Sequence, residues 1–168
     1  MSSRSSISKH TRSILPDPIQ REAYWRGARE LLPAAPGVFA WGLVTGVAMV
    51  KSGLSIEYAL IMTFLAYAGS AQLAALPLLV TVAPLWVVAL TAIAVNLRFV
   101  VYSAAMLPHL RHLPPSARVG LGYLIGDIGF AKFSALVERE PNYPHRVAYF
   151  AGGASCNWVL WQASSVIG

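Results

Sequence analysis

The chain has 168 residues, 56% hydrophobic and 12% charged, with a formal net charge of +6. Soluble domains carry about 25% charged residues, so one membrane domain is the natural reading and no length remains for a second, soluble one. The single Cys156 excludes an internal disulfide and no Cys/His spacing fits a zinc site, so neither metal nor cofactor is expected.

Residues 1–30 contain six of the thirteen Lys and Arg residues: Arg4, Lys9, Arg12, Arg21, Arg26 and Arg29. These bases are not gathered into a patch with interleaved aromatics, which argues against nucleic acid as a partner. The segment is expected to be a basic cytoplasmic tail. Its part from Ile19 to Glu30 suits a short interfacial helix with Tyr24 and Trp25 at headgroup level. The first apolar run begins too late, near Leu31, and is too long for a cleavable signal.

Leu31 to Val50 is a first charge-free span. Tyr58 to Leu97 then runs for forty residues without Asp, Glu, Lys, Arg or His, about twice the ~20 needed for one crossing. Thr81 to Pro84 is its best turn, because proline suits the first turn of a new helix. A second span over about Tyr58–Val80 and a third over about Pro84–Leu107 follow. Val119 to Val137, carrying Asp127 and Lys132, is a weaker fourth, and Val147 to Gly168 a fifth. The fold class is therefore all-α: a polytopic membrane protein with about five transmembrane helices. With the N-terminus inside, connections on the cytoplasmic side hold eight Lys and Arg residues against three outside, so the N-terminus is expected to be cytoplasmic.

Three groups of residues stand out. Gly69-Ser70-Ala71-Gln72, followed by Pro77, interrupts the second span and points to a broken or kinked helix. Freed carbonyls and amide ends there can bind a zwitterion or an ion; a Pro-kinked helix with Ser70 and Gln72 bonded to neighbouring helices also accounts for the pattern. In the third span Asn96 and Arg98 point to different faces, and Arg98 shares its face with Tyr102. A guanidinium flanked by apolar sequence matches a substrate carboxylate or pairs with Asp127. Asp127 is a candidate proton-coupling carboxylate or the neutralising partner of Arg98. Lys132 is placed to snorkel to the cytoplasmic interface. Gly42-x3-Gly46 and Gly122-x3-Gly126 read as close-packing faces, and Trp158 and Trp161 share a face that can line a cavity.

Together these motifs resemble the AzlC-like branched-chain amino acid permeases, the large subunits of two-component exporters. The matching residues are Pro36-Gly37, Phe39 and Gly42, then Gly53-Leu54-Ser55. They continue with Tyr67-Ala68-Gly69-Ser70-Ala71-Gln72, Asn96-Leu97-Arg98, Asp127, and Tyr149, Gly152 and Trp158 to Gly168. The resemblance covers about 31–168 and marks that stretch as the transmembrane domain. It implies export of valine, leucine, isoleucine or another small hydrophobic amino acid. It also implies the proton gradient as driving force, a small AzlD-like membrane subunit, and the bacterial inner membrane. Ser70, Gln72, Asn96 and Arg98 become the substrate-binding candidates and Asp127 the proton-coupling one. The chain departs from the family in placing Ile128 after Asp127, where an acidic residue is frequent. Large subunits of the family continue through further helices, so the domain is expected to be incomplete at its C-terminus. Two other readings compete: a non-transporting assembly or regulatory subunit, and a membrane-embedded serine hydrolase using Ser70 with His109 or His112.

Overall fold

A computed structural model describes residues 18–168, and every regular element among them is helical. Helix α1 (Pro18–Leu31) begins on a proline, whose fixed φ and missing N–H suit a first turn. A 3₁₀ turn at Leu32–Ala34 carries it into α2 (Ala35–Lys51). Of the expected tail, residues 18–30 lie in α1, which packs along the C-terminal helix α8 (Arg146–Ile167). The remaining 17 residues of that segment lie outside the described residues.

The stretch expected as a second span, broken or kinked, forms two helices: α3 (Ile56–Ala66) ends and α4 (Gly69–Val80) begins after two residues. The break falls at Tyr67-Ala68 rather than at Pro77, which is accommodated inside α4. Tyr67 takes a left-handed conformation, φ 36°, at a cost of about 1–3 kcal/mol for a non-glycine residue. Helix α5 (Leu85–Leu110) starts after Pro84 as expected. The stretch expected as a fourth span is likewise two helices: α6 (Pro115–Tyr123) and α7 (Asp127–Arg139) meet at a bend of 117°.

Two helical stretches, Pro18–Lys51 and Leu85–Leu110, are long and apolar enough to cross a membrane, or three if the bent α6–α7 pair counts as one span. Helices α3 and α4 are apolar but short; at 1.5 Å per residue each reaches only about 16–18 Å, against a hydrocarbon core of ~30 Å. Helix α8 has the length, but Asn157, Gln162, Ser164 and Ser165 dilute its apolar character, and all four are buried against protein.

Helices α1 and α2 lie against α8 almost backbone to backbone. A Cβ at Gly42 or Gly46 would collide with Ser164 or Ser165 of α8, and one at Gly152 with the Tyr24 carbonyl of α1. The first small-residue face is thus a packing face. The second is not: a Cβ at Gly122 would meet open space, and Gly126 caps α7. Met106 and Leu110 of α5, Phe133 of α7 and Phe150 of α8 form the main apolar cluster, which fixes the end of α5 to α7 and α8.

Candidate functional site

Breaking a helix leaves carbonyls at one new end and amides at the other without partners. At the α3–α4 break the two ends are treated differently. Gln162 Nε2 donates to the Thr63 carbonyl at 3.2 Å, and the Tyr123 hydroxyl donates to the Phe64 carbonyl. Thr63 Oγ1 adds a 2.9 Å bond to Ser165 Oγ. The carbonyl end is therefore sealed by side chains of α6 and α8. No side chain caps the amide end of α4 at Gly69, and none caps that of α7 at Asp127.

Both uncapped ends face one cavity of about 320 Å³, whose wall includes Gly69 and Ser70 of α4, Gly126 and Asp127 at the α7 start, and Arg98 of α5. Helix N-termini carry partial positive charge and open N–H groups, so they favour anions. Arg98 reinforces this: its Nη2 donates to Ser70 Oγ at 2.5 Å, and its Nε lies 3.4 Å from Asp127 Oδ1. That Nε makes no hydrogen bond, so the ion pair is close enough for Coulombic attraction without a donor's alignment. The Arg98 side chain is 36% exposed and that of Asp127 50%. Tyr102, on the same face of α5, donates to Asp127 Oδ1 at 3.0 Å and stacks on Phe130 at 4.2 Å.

Ser70, Arg98 and Asp127 thus meet at one cavity, whereas Gln72 and Asn96 do not line it. Gln72 is fully buried, its Nε2 3.6 Å from Met49 Sδ and its Oε1 without a partner. The Asn96 Oδ1 is likewise buried and unpartnered. Three lining residues escaped the sequence reading or were only touched by it: Tyr67, Asn157 and Trp161. Asn157 Nδ2 donates to the Tyr67 hydroxyl at 2.6 Å. A polar residue inside an apolar helix was the available signal for Asn157. Of the two tryptophans sharing a face, Trp161 lines the cavity, while Trp158 bonds Tyr123 at 3.1 Å.

A larger cavity, about 850 Å³, lies among connecting residues including His109, His112, His145 and Arg146. Its cation is already engaged: Arg146 bonds the Tyr143 and Pro141 carbonyls and His109 Nδ1 at 3.0–3.1 Å. In the smaller cavity Arg98 has only the Ser70 hydroxyl and the 3.4 Å contact with Asp127. Among the described residues Ser70 accepts a bond from Arg98 and donates none to His109 or His112, whereas a serine hydrolase needs its serine to donate to a histidine.

The model of the AzlC protein family matches residues 33–168. The chain belongs to the AzlC family. It is accordingly a membrane transport-related protein, and the matched stretch holds α2 to α8 and every residue of the cavity. No curated protein and no solved structure matches this AzlC chain.

Proposed function

We propose that this AzlC-family chain is the large subunit of an exporter for branched-chain or other small hydrophobic amino acids, driven by the proton gradient together with a small AzlD-like subunit. The observation that carries this reading is the convergence of Arg98 and two uncapped helix N-termini on one small cavity. Half-helix ends aimed at an anionic substrate group are a recurring transporter device. The volume is at the small end of ligand pockets, ~300–1,000 Å³, which suits a metabolite.

Arg98 and Ser70 hold the substrate carboxylate, and the Arg98 fork fits its two oxygens. Val38, Trp41, Phe99 and Ile128 supply apolar wall for the side chain, where each CH₂ contributes about 0.8 kcal/mol. Asp127 competes with the substrate for Arg98, and a proton on Asp127 changes what Arg98 holds; this is the coupling role assigned to it. Gln72 and Asn96 bind substrate only after the helices around them shift, since neither lines the cavity in this arrangement. The chain lies in the bacterial inner membrane with the N-terminus in the cytoplasm, and taking α3–α4 and α6–α7 as one broken crossing each gives the five crossings expected from the sequence.

Efflux from cells loaded with a leucine-containing dipeptide tests the reading. Arg98→Ala should abolish leucine export while abundance in the membrane stays normal. Export unchanged in that variant removes Arg98 from the mechanism, and loss of abundance in step with flux makes it a structural residue of an assembly subunit.

A further inference from the structure

Helix α8 gives a scale of depth, because it runs parallel to Pro18–Lys51 and in step with it. A Cβ at Gly152 would strike Tyr24 and one at Gly27 would strike Tyr149, while Gly46 approaches Ser165 and Gly168 approaches Leu43. Tyr24 and Tyr149 therefore mark one end of the molecule, and Lys51 and Gly168 the other. Met49, at the Lys51 end, packs in one cluster with Ala59 of α3 and Leu76 of α4, and lies 3.6 Å from Gln72 Nε2. On one straight helix at 1.5 Å per residue Ala59 and Leu76 would stand about 25 Å apart, so α4 must double back along α3. The turn between them lies deep: the Tyr67 hydroxyl accepts from Asn157 at the middle of α8, and Tyr67 and Ala68 are buried.

The α6–α7 pair does the reverse. Leu113, just before α6, packs on the cluster that joins Leu110 of α5 to Phe150 of α8, at the Tyr24 end. Arg139, which closes α7, stands 3.5 Å from Glu30 at that same end. Between them the pair reaches the middle, where Tyr123 bonds Phe64 and Trp158, and Asp127 lies 3.4 Å from Arg98. Non-helical backbone at membrane depth needs protein around it or a cavity beside it; Ile125 is buried and Gly126 lines the Arg98 cavity.

We infer that the described residues cross the membrane three times, at Pro18–Lys51, α5 and α8, and that α3–α4 and α6–α7 are re-entrant hairpins entering from opposite faces to meet at the Arg98 cavity. A crossing followed by a hairpin from the face just reached occurs twice in opposite senses, which makes α1–α4 and α5–α7 inverted repeats. The two uncapped helix starts, at Gly69 and Asp127, then hold equivalent places, each opening the second arm of its hairpin. Each hairpin stands between the cavity and one face of the membrane. Charge supports this threading independently. It brings Arg111 and Arg118 to the N-terminal side, where ten Lys and Arg residues stand against Lys51 alone, a sharper bias than eight against three. The inference goes beyond the proposed function, changes only its count of crossings, and holds whatever the cargo.

The two threadings differ in where two connections emerge. Three crossings put residues 81–84 on the face of 52–55, and residues 111–114 on the face of 140–145; five crossings exchange 81–84 and 111–114 between the faces. The experiment removes the one native cysteine by Cys156→Ser and introduces single cysteines into the full chain at exposed positions: Ser55→Cys, Val82→Cys, His112→Cys and Asn142→Cys. A membrane-impermeant maleimide is applied to intact cells and to inverted membrane vesicles. Val82→Cys should label with Ser55→Cys from one face, and His112→Cys with Asn142→Cys from the other. Where a variant does not reach the membrane, Ala83→Cys and Ser116→Cys carry the same expectations. Val82→Cys labelled with Asn142→Cys, or His112→Cys with Ser55→Cys, overturns the inference. Labelling needs no transport, so a failed efflux assay leaves the threading standing, and a wrong pairing leaves the cargo untouched.

Discussion

Two clusters of ionised side chains serve opposite ends in this fold. Where α1, α8 and the loop after α7 meet, Arg26 bonds Glu140 at 2.5 and 3.1 Å and Glu30 at 3.0 Å, and lies over the Tyr143 ring. The Tyr149 hydroxyl donates to Glu30 at 2.6 Å, and Arg139 stands 3.5 Å from the same carboxylate. Each charge there has partners within the chain, and none of these atoms is both buried and unpartnered. At Arg98 the guanidinium has one hydroxyl and one poorly aligned carboxylate, beside empty volume and two uncapped helix ends. A saturated cluster can only hold the structure together. An unsaturated one beside a cavity has binding capacity left over, and desolvating it is worthwhile only if a ligand repays the cost.

The largest separation of the two should come from removing each arginine. Arg98→Ala should cost tenfold to a hundredfold in leucine affinity, the loss expected for a charge-assisted contact, with little change in melting temperature. Arg26→Ala should do the reverse: about 1 kcal/mol of stability, modest because the side chain is one-third exposed, with leucine affinity retained. Melting curves and titrations on both variants decide this, and a similar profile for the two would erase the distinction.

Acidification sharpens it further. Its hydrogen bonds to Arg26 hold the Glu140 carboxyl below the usual carboxylate range. A carboxylate with a depressed folded pKa stabilises above its unfolded value and loses that contribution as pH falls through the folded one. The contribution is therefore complete above about pH 5 and fades below it. The melting-temperature gap between wild type and Arg26→Ala should accordingly be full at pH 7 and narrower at pH 3; a gap that widens on acidification reverses the sign of the contact. The smallest effect belongs to Tyr102→Phe, which removes one neutral donor from Asp127. It should change leucine affinity by only severalfold, and a loss as large as that of Arg98→Ala would place Tyr102 on the substrate.

What the sequence made readable follows from how local each cause is. Small and polar residues at Gly69-Ser70 marked the first broken helix because backbone freedom and proline are local signals. The break itself sits at Tyr67-Ala68, since a tyrosine held left-handed by its surroundings leaves no trace in composition. The second break went unseen for the opposite reason: Gly122-x3-Gly126 fits a packing face, and only the fold shows that Gly122 faces nothing while Gly126 starts a helix. The meeting of Arg98 with Asp127 was legible as one of two options, because opposite charges within apolar sequence seek each other. Asn157 and Tyr67 lie 90 residues apart, and no spacing rule joins them.

The glycine contacts of α8 have a mechanical consequence. Helices touching through bare backbone cannot slide past one another without driving carbonyls into α-carbons, so α1, α2 and α8 form one stiff plate. Ser70 and Arg98 ride on the α4–α5 pair, while Asn157 and Trp161 belong to the plate. The cavity is therefore walled on one side by that plate and on the other by a separate pair of helices.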